Sequence, residues 1–194
     1  LHPGHSNSVS TRKNQNIKEK IKIAKKAVKL IHNGDMIFLD TSTTNIELAK
    51  EIIDSGLDVT VVSCMMDIAA VFSNSKNVKF ILIGGEFNRS QNGFLGPLTL
   101  QMMNNFRFDI CFMGVVGANV EENIITTYVP DDGLMKSSVV ERSSKVYLGM
   151  ESKKFEFQAN YVYTTFSQID GIICEKIPSR EIQDQLGKYN VEII

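Results

Sequence analysis

Short apolar runs alternate along this chain with stretches whose apolar residues recur at helical spacing. Between residues 16 and 31, Ile17, Ile21, Ala24, Val28 and Ile31 fall on one stripe, which predicts an amphipathic helix. Asn33-Gly34 closes it with a suitable stop. Met36-Ile37-Phe38-Leu39 then reads as a buried strand feeding a helix over 44–54, where Ile46, Ala49 and Ile53 recur with Leu48 and Ile52 beside them. The alternation continues with strand 58–62, helix 65–73 and strand 78–83, which ends at Gly84-Gly85. A polar loop over 88–93 precedes a helix opened by Gly96-Pro97, proline being suited to a first helical turn. Strand 109–115, an extended piece at Ile124-Ile125, helix 131–142, strand 145–149, strand 171–174, helix 179–186 and strand 191–194 complete the pattern. Strands separated by helices imply parallel pairing with helices on both faces. The fold class is therefore α/β, a mostly parallel Rossmann-like sheet with room for a small α+β subdomain. Residues 1–15 are polar, contain Pro3 and Gly4 and read as a linker or arm, leaving 16–194 as one folded domain.

Composition narrows the function classes. With 194 residues, 43% of them apolar, the chain has enough material for one substantial core. A net charge of −1 argues against a broad nucleic-acid-gripping face. The eight Lys and Arg between Arg12 and Lys29 read as the solvated face of the first helix. No apolar run approaches the roughly 18 residues of a membrane span, and no signal peptide is visible. Cys64, Cys111 and Cys174 are far apart and odd in number, and no CxxC pattern links them. They read as buried reduced thiols, pointing to the cytosol. Histidine is confined to His2, His5 and His32, so a histidine-rich metal site or a Ser-His-Asp triad in the main body is excluded. No G-x-G-x-x-G follows a strand. Neither a catalytic residue, a metal nor a cofactor is assigned.

The candidate chemistry lies at strand ends, where parallel sheets bind their ligands. Asp40-Thr41-Ser42-Thr43-Thr44 follows the first strand and opens a helix. Orphan backbone N–H groups, the positive end of the helix dipole and several hydroxyls converge there as an anion cradle. Asp40 adds an acceptor suited to a sugar hydroxyl, so the combination points to a phosphorylated polyol; the competing reading is an ordinary N-cap. Gly84-Gly85, Gly114 to Asn119 and the 151–154 segment follow other strands. Their glycines permit close backbone approach to a ligand, or simply make turns. Lys136 sits on helix 131–142, on the side away from Leu134, Met135 and Val139. A surface lysine is the default; the functional alternative is neutralisation of a phosphate beside Asp131 and Asp132, two acids that also complement a helix start.

The order of these motifs resembles the DeoR family of bacterial transcriptional regulators. Asp-x-Ser-Thr-Thr, Ile83-Gly84-Gly85, Leu95-Gly96-Pro97, Phe112-Met113-Gly114-Val115-Val116-Gly117-Ala118, Thr126-Thr127, Lys136 and Ser152-Lys153-Lys154-Phe155 carry the likeness. What the chain resembles is the C-terminal effector-sensing domain, whose fold is related to ribose-5-phosphate isomerase and the CoA transferases. The resemblance implies a phosphorylated sugar or polyol effector and a cytoplasmic repressor. It also implies a homo-oligomer, dimer or tetramer, that reaches operator DNA only through a winged helix-turn-helix preceding residues 1–15. It further implies that Asp40, Ser42, Thr43 and Thr44 form the phosphate loop, with Gly84 and Gly85 as a conserved turn and Gly114 and Gly117 lining the cleft. Lys136 would contact the sugar phosphate, and Asp132, Glu151 and Lys154 complete the expected set. Two segments depart from the family pattern: Asp131-Asp132-Gly133 stands for Glu-Ala or Glu-Glu-Ala, and Glu151-Ser152-Lys153-Lys154 for Asp-Ser-Ser-Lys. The rival reading is an aldose–ketose isomerase using Asp131 or Asp132 with Lys136. A third is an oligomerisation module with a decayed pocket.

Overall fold

The computed structural model describes residues 8–194. Two helices precede the sheet: α1 (Val9–Lys13), and α2 (Ile17–Ala27) extended by a 3-10 turn at Val28–Leu30. Next come β1 (Met36–Leu39), α3 (Thr43–Ser55), β2 (Val59–Ser63), α4 (Met66–Phe72) and β3 (Val78–Leu82). A hairpin of β4 (Glu86–Asn88) and β5 (Gly93–Leu95) leads to α5 (Pro97–Met103) and β6 (Phe108–Met113). Then follow β7 (Gly117–Asn119), β8 (Ile124–Thr127), α6 (Pro130–Glu141), β9 (Ser143–Gly149) and β10 (Tyr161–Thr164). The chain ends with β11 (Gly171–Ile173), α7 (Arg180–Gly187) and β12 (Glu192–Ile193).

Seven strands form one parallel sheet in the order β12-β11-β9-β6-β1-β2-β3. Successive side chains on a strand point to opposite faces, and the core divides accordingly. Ile37 and Leu39 pack with Ile23, Ala24, Ala49, Ile52 and Ile68 of α2, α3 and α4. Phe38, between them, faces Met103, Met135, Val139 and Leu186 of α5, α6 and α7. The chain runs outward from β1 through β2 to β3, then returns to the other side of β1 as β6. The carboxyl ends of β1 and β6 thus flank a topological switch point, the usual ligand position in such sheets.

The expected subdomain is a three-stranded antiparallel sheet, β10-β8-β7. Only β8 was visible in the sequence, as the extended piece at Ile124-Ile125. β7 is Gly-Ala-Asn, a composition poor in strand formers, and takes its form from pairing with β8. Likewise the polar loop expected over 88–93 is the tip of the β4–β5 hairpin, with Asn92 in the left-handed region at φ +49°.

Part of the expected arm is folded. Val9 of α1 is 2% exposed and its N–H donates to the Ser90 carbonyl at 2.9 Å. Residues 1–7, with His2 and His5, lie outside the described residues. The basic stretch also splits. Lys18, Lys22, Lys25 and Lys29 are exposed as expected, but Lys20 is buried and donates to the Arg12 and Gln15 carbonyls, both at 2.6 Å. Helix ends leave carbonyls without partners, and Lys20 satisfies one of α1's. Cys64, Cys111 and Cys174 are buried free thiols; burial, aided by the charges of Asp40 and Asp132, pushes Cys64 up to about 12. Among the described residues no helix is long and apolar enough to cross a membrane.

Gly117 shows how tightly the small sheet is packed. A Cβ there would collide with the Phe157 carbonyl oxygen and crowd Gln158 Cα at 2.8 Å. Both obstacles are backbone, so a side chain has no easy accommodation. Gly117→Ala is expected to cost about 2 kcal/mol, lowering the melting temperature by about 4–8 °C in calorimetry. Gly187→Ala, where nothing lies within 4 Å, is expected to leave it unchanged or slightly raised.

Candidate functional site

At the switch point β1 ends in Asp40 and β6 in Gly114, and the Gly114 N–H donates to Asp40 Oδ2 at 2.7 Å. Asn45, in the first turn of α3, ties the same strand ends together: its Nδ2 donates to the carbonyls of Asp40 at 3.0 Å and Phe112 at 2.9 Å. Ser42 is the N-cap of α3, in extended backbone, and its Oγ accepts from the Thr44 N–H at 3.2 Å. The capping reading of this motif is therefore correct for Ser42. Capping does not exclude the anion cradle, since a helix start leaves several N–H groups outside the helical ladder.

From the other face, α6 brings in Asp132 and Lys136. Pro130 occupies its first turn, and Thr127 Oγ1 at the end of β8 donates to Asp132 Oδ2 at 2.7 Å. Lys136, one turn beyond Asp132, is 4% exposed rather than on the surface. Its ammonium pairs with Asp40 Oδ2, lies 3.5 Å from Asp132 Oδ1 and sits 5.7 Å from the Tyr163 ring centroid. The default surface reading fails because the far side of α6 faces the sheet ends and the small sheet, not water. The Tyr163 hydroxyl donates to the Gly114 carbonyl at 3.0 Å. Burial acts against the Lys136 charge, but Asp132 and Asp40 outweigh it and hold its pKa above the ordinary lysine value. Burial raises the Asp132 carboxyl, against the pull of Lys136. Burial, reinforced by Asp40 and Asp132, holds the Tyr163 phenol well above the usual range.

Gly114, Thr127, Asp132 and Lys136 among these groups form the floor of a cleft of about 440 Å³. Its rim is cationic. Lys153 and Lys154 come from a 3-10 turn at Ser152–Glu156, while Arg12 and Lys20 come from α1 and α2. Burial lowers the pKa of Arg12, Lys20 and Lys154, and neighbouring cations lower Lys20 and Lys154 further. Glu151 offsets part of this charge: it accepts from Asn16 Nδ2 at 2.6 Å and pairs with Lys153 at 2.9 Å.

Of the residues singled out in the sequence, Ser42, Thr43, Thr44, Gly114, Asp132, Lys136, Glu151 and Lys154 line this cleft. Four do not. Asp40 is fully buried behind it; its Oδ2 accepts from Gly114 and Lys136, while its Oδ1 has no hydrogen-bond partner among the described residues. Gly84 and Gly85 form a turn against α5, where Thr99 Oγ1 donates to the Gly84 carbonyl at 2.9 Å; a Cβ on Gly85 would strike that hydroxyl. Gly117 is occupied by the backbone of 157–158. Their glycine chemistry serves close packing rather than ligand approach. Sequence reasoning overlooked Arg12, Lys20 and Lys153 in the rim, because a basic run near a helix looks solvated unless the opposing wall is known. Among the described residues, no group of three or more His, Cys, Asp or Glu could hold a metal ion.

Residues 15–176 match the family described as the DeoR C terminal sensor domain. The chain is 28% identical over 176 residues to the HTH-type transcriptional repressor GlcR of Bacillus subtilis, covering 91% of this chain and 67% of that protein. It is 24% identical to the glycerol-3-phosphate regulon repressor of Escherichia coli, covering 97% and 75%. Among solved structures it is similar to ribose 5-phosphate isomerase A of Methanocaldococcus jannaschii, with a TM-score of 0.53, 16% identity and coverage of 72% and 55%. It is also similar to eIF2B beta of Chaetomium thermophilum, with a TM-score of 0.61, 14% identity and coverage of 89% and 54%. The chain thus spans just over half the length of each solved chain, and at these identities the likeness is one of fold alone. The two relatives, which match it along nearly its whole length, are named as transcriptional repressors. This chain belongs to the DeoR family and matches its C-terminal sensor domain.

Proposed function

We propose that the cleft binds a phosphorylated sugar or polyol, and that this binding controls a DNA-binding domain lying N-terminal to this chain in a cytoplasmic, homo-oligomeric repressor. One observation carries the reading. At the switch point, the hydroxyl-bearing start of α3 and four cations line one cleft of about 440 Å³, within the usual range for small-molecule sites. A helix start, hydroxyls and basic side chains together suit a phosphate. Gly149, at the end of β9, borders Thr44, a Cβ there lying 3.7 Å from Thr44 Cγ2; the segment carrying Lys153 and Lys154 therefore leaves the sheet beside the α3 start. Polar groups further along the cleft, Asp132 and Thr127 among them, suit the hydroxyls of the carbon skeleton.

Lys136 has a different role from the one first expected. Two carboxylates already meet its charge, so it organises the floor and adds no net positive potential. The countercharge for a phosphate comes from Lys154, its basic neighbours and α3. Operator half-sites are read by symmetric assemblies, which is why a dimer or tetramer belongs to the proposal.

Thermal-shift and calorimetric titration against a panel of sugar and polyol phosphates tests this directly. A ligand at 100 times its Kd is expected to stabilise the fold by about 2.7 kcal/mol, a rise of about 5–10 °C, with the unphosphorylated sugar silent. Equal binding of the free sugar would overturn the phosphate reading. Thr43→Val and Lys154→Ala are each expected to weaken the phosphorylated ligand about tenfold or more while leaving the unliganded melting temperature nearly unchanged. Lys136→Ala separates the two roles. It strands two buried carboxylates and is expected to cost about 3–5 kcal/mol of stability, visible in chemical denaturation before any ligand is added.

A further inference from the structure

Helix α1 lies ahead of the residues matched to the sensor family, and that match does not account for it. Its two sides make different contacts. On one, Val9 is buried and its N–H donates to the Ser90 carbonyl. Lys13 pairs with Asp67 of α4 at 2.6 Å, and Asn92 Nδ2 donates to the other Asp67 oxygen at 2.8 Å. These contacts fasten α1 to the β4–β5 turn and to α4. The other side carries Arg12 and Ser8 into the wall of the cleft, while Lys20 holds the Arg12 and Gln15 carbonyls.

Arg12 therefore stands where the cleft meets the chain that enters the domain. It is within electrostatic reach of Asp132 on the floor and of Lys154 on the rim. Cations brought by α1, α2 and the 152–156 turn converge there, with Glu151 offsetting them in part. Like charges gathered in a partly buried cleft are stabilised when an anion enters it.

We infer that Arg12 is a ligand-holding residue that completes the anion-binding rim, and that α1 is consequently fastened more tightly to the domain when the cleft is filled. The inference rests on the anion-binding reading of this cleft. The Lys13–Asp67 pair adds little to the hold on α1, because exposed ion pairs contribute little. A charge-assisted bond from Arg12 to a bound anion adds a further tether to those α1 already has. Coupling of this kind is reciprocal: whatever loosens α1 must also weaken the ligand. The segment leading into α1 thereby receives a signal from the cleft without any rearrangement of the sheet.

The test uses inorganic phosphate, the anion common to every ligand of the proposed class, on the full 194-residue chain. Hydrogen exchange at residues 9–13 is expected to slow about fivefold or more on saturation. Arg12→Gln is expected to weaken phosphate binding about tenfold and to abolish the slowing. Lys13→Ala, which loosens α1 at Asp67 outside the cleft, is expected to weaken phosphate about threefold. If phosphate binds in a Thr43-dependent manner while α1 exchange and Arg12→Gln affinity stay as in the wild type, this inference is overturned and the proposed function stands. If the wild-type chain binds no phosphate, both fall.

Discussion

The buried ion pair between Asp40 and Lys136, with Asp132 at its side, is the constraint on which the site depends. Asp40 terminates β1, accepts the Gly114 N–H at the end of β6, and meets an ammonium delivered by α6. One carboxylate thereby joins the two central strands to a helix on the opposite face from α3. Taking such charges out of water costs several kcal/mol per ion. The arrangement persists only because each charged group finds partners: Gly114 and Lys136 for Asp40, Thr127 for Asp132. Removing Lys136 leaves two buried carboxylates without their countercharge.

The floor of the cleft is consequently balanced within itself, and this shapes what the cleft attracts. Two acids and one lysine leave no surplus positive charge at depth. The surplus lies on the rim, on Arg12, Lys20, Lys153 and Lys154, and at the start of α3. On the proposed reading, an anion is drawn to the mouth and an uncharged polar skeleton lies against the floor. A similar fold occurs in ribose 5-phosphate isomerase A, which illustrates that chemistry resides in the groups placed at a scaffold's switch point and not in the scaffold. Here those groups suit holding a ligand, and a sensor acts only through different affinities in its two states.

The glycines make a related point about economy of space. Gly117 lets the 157–158 backbone lie against β7, and Gly85, at φ +143°, lets α5 close over the end of β3. Neither touches the cleft, yet the first holds in place the segment that carries Lys153 and Lys154. Close packing of backbone upon backbone keeps a charged rim at a fixed distance from the helix start that lines the same cleft.

Much of this was legible in the chain itself. The strand–helix alternation from Met36 onward, the α3 start at Ser42-Thr43-Thr44, the helix carrying Asp132 and Lys136, and the placing of chemistry at strand ends all follow from local periodicity and capping, which neighbouring residues determine among themselves. The small sheet was visible only at β8, because β7 owes its strand form to a partner. Lys136 and Lys20 looked like surface lysines, and Gly84, Gly85 and Gly117 were open to both a turn and a ligand-approach reading. Asp40 looked like a ligand acceptor. What reversed these readings is contact across the chain: Asp40 and Lys136 are 96 residues apart and meet only because β6 returns beside β1. Sequence alone determined which elements form and which groups stand at their ends. The tertiary structure decided which of those groups neutralise one another and which are left facing the cleft, because burial and pairing depend on neighbours that only the order of strands in the sheet brings together.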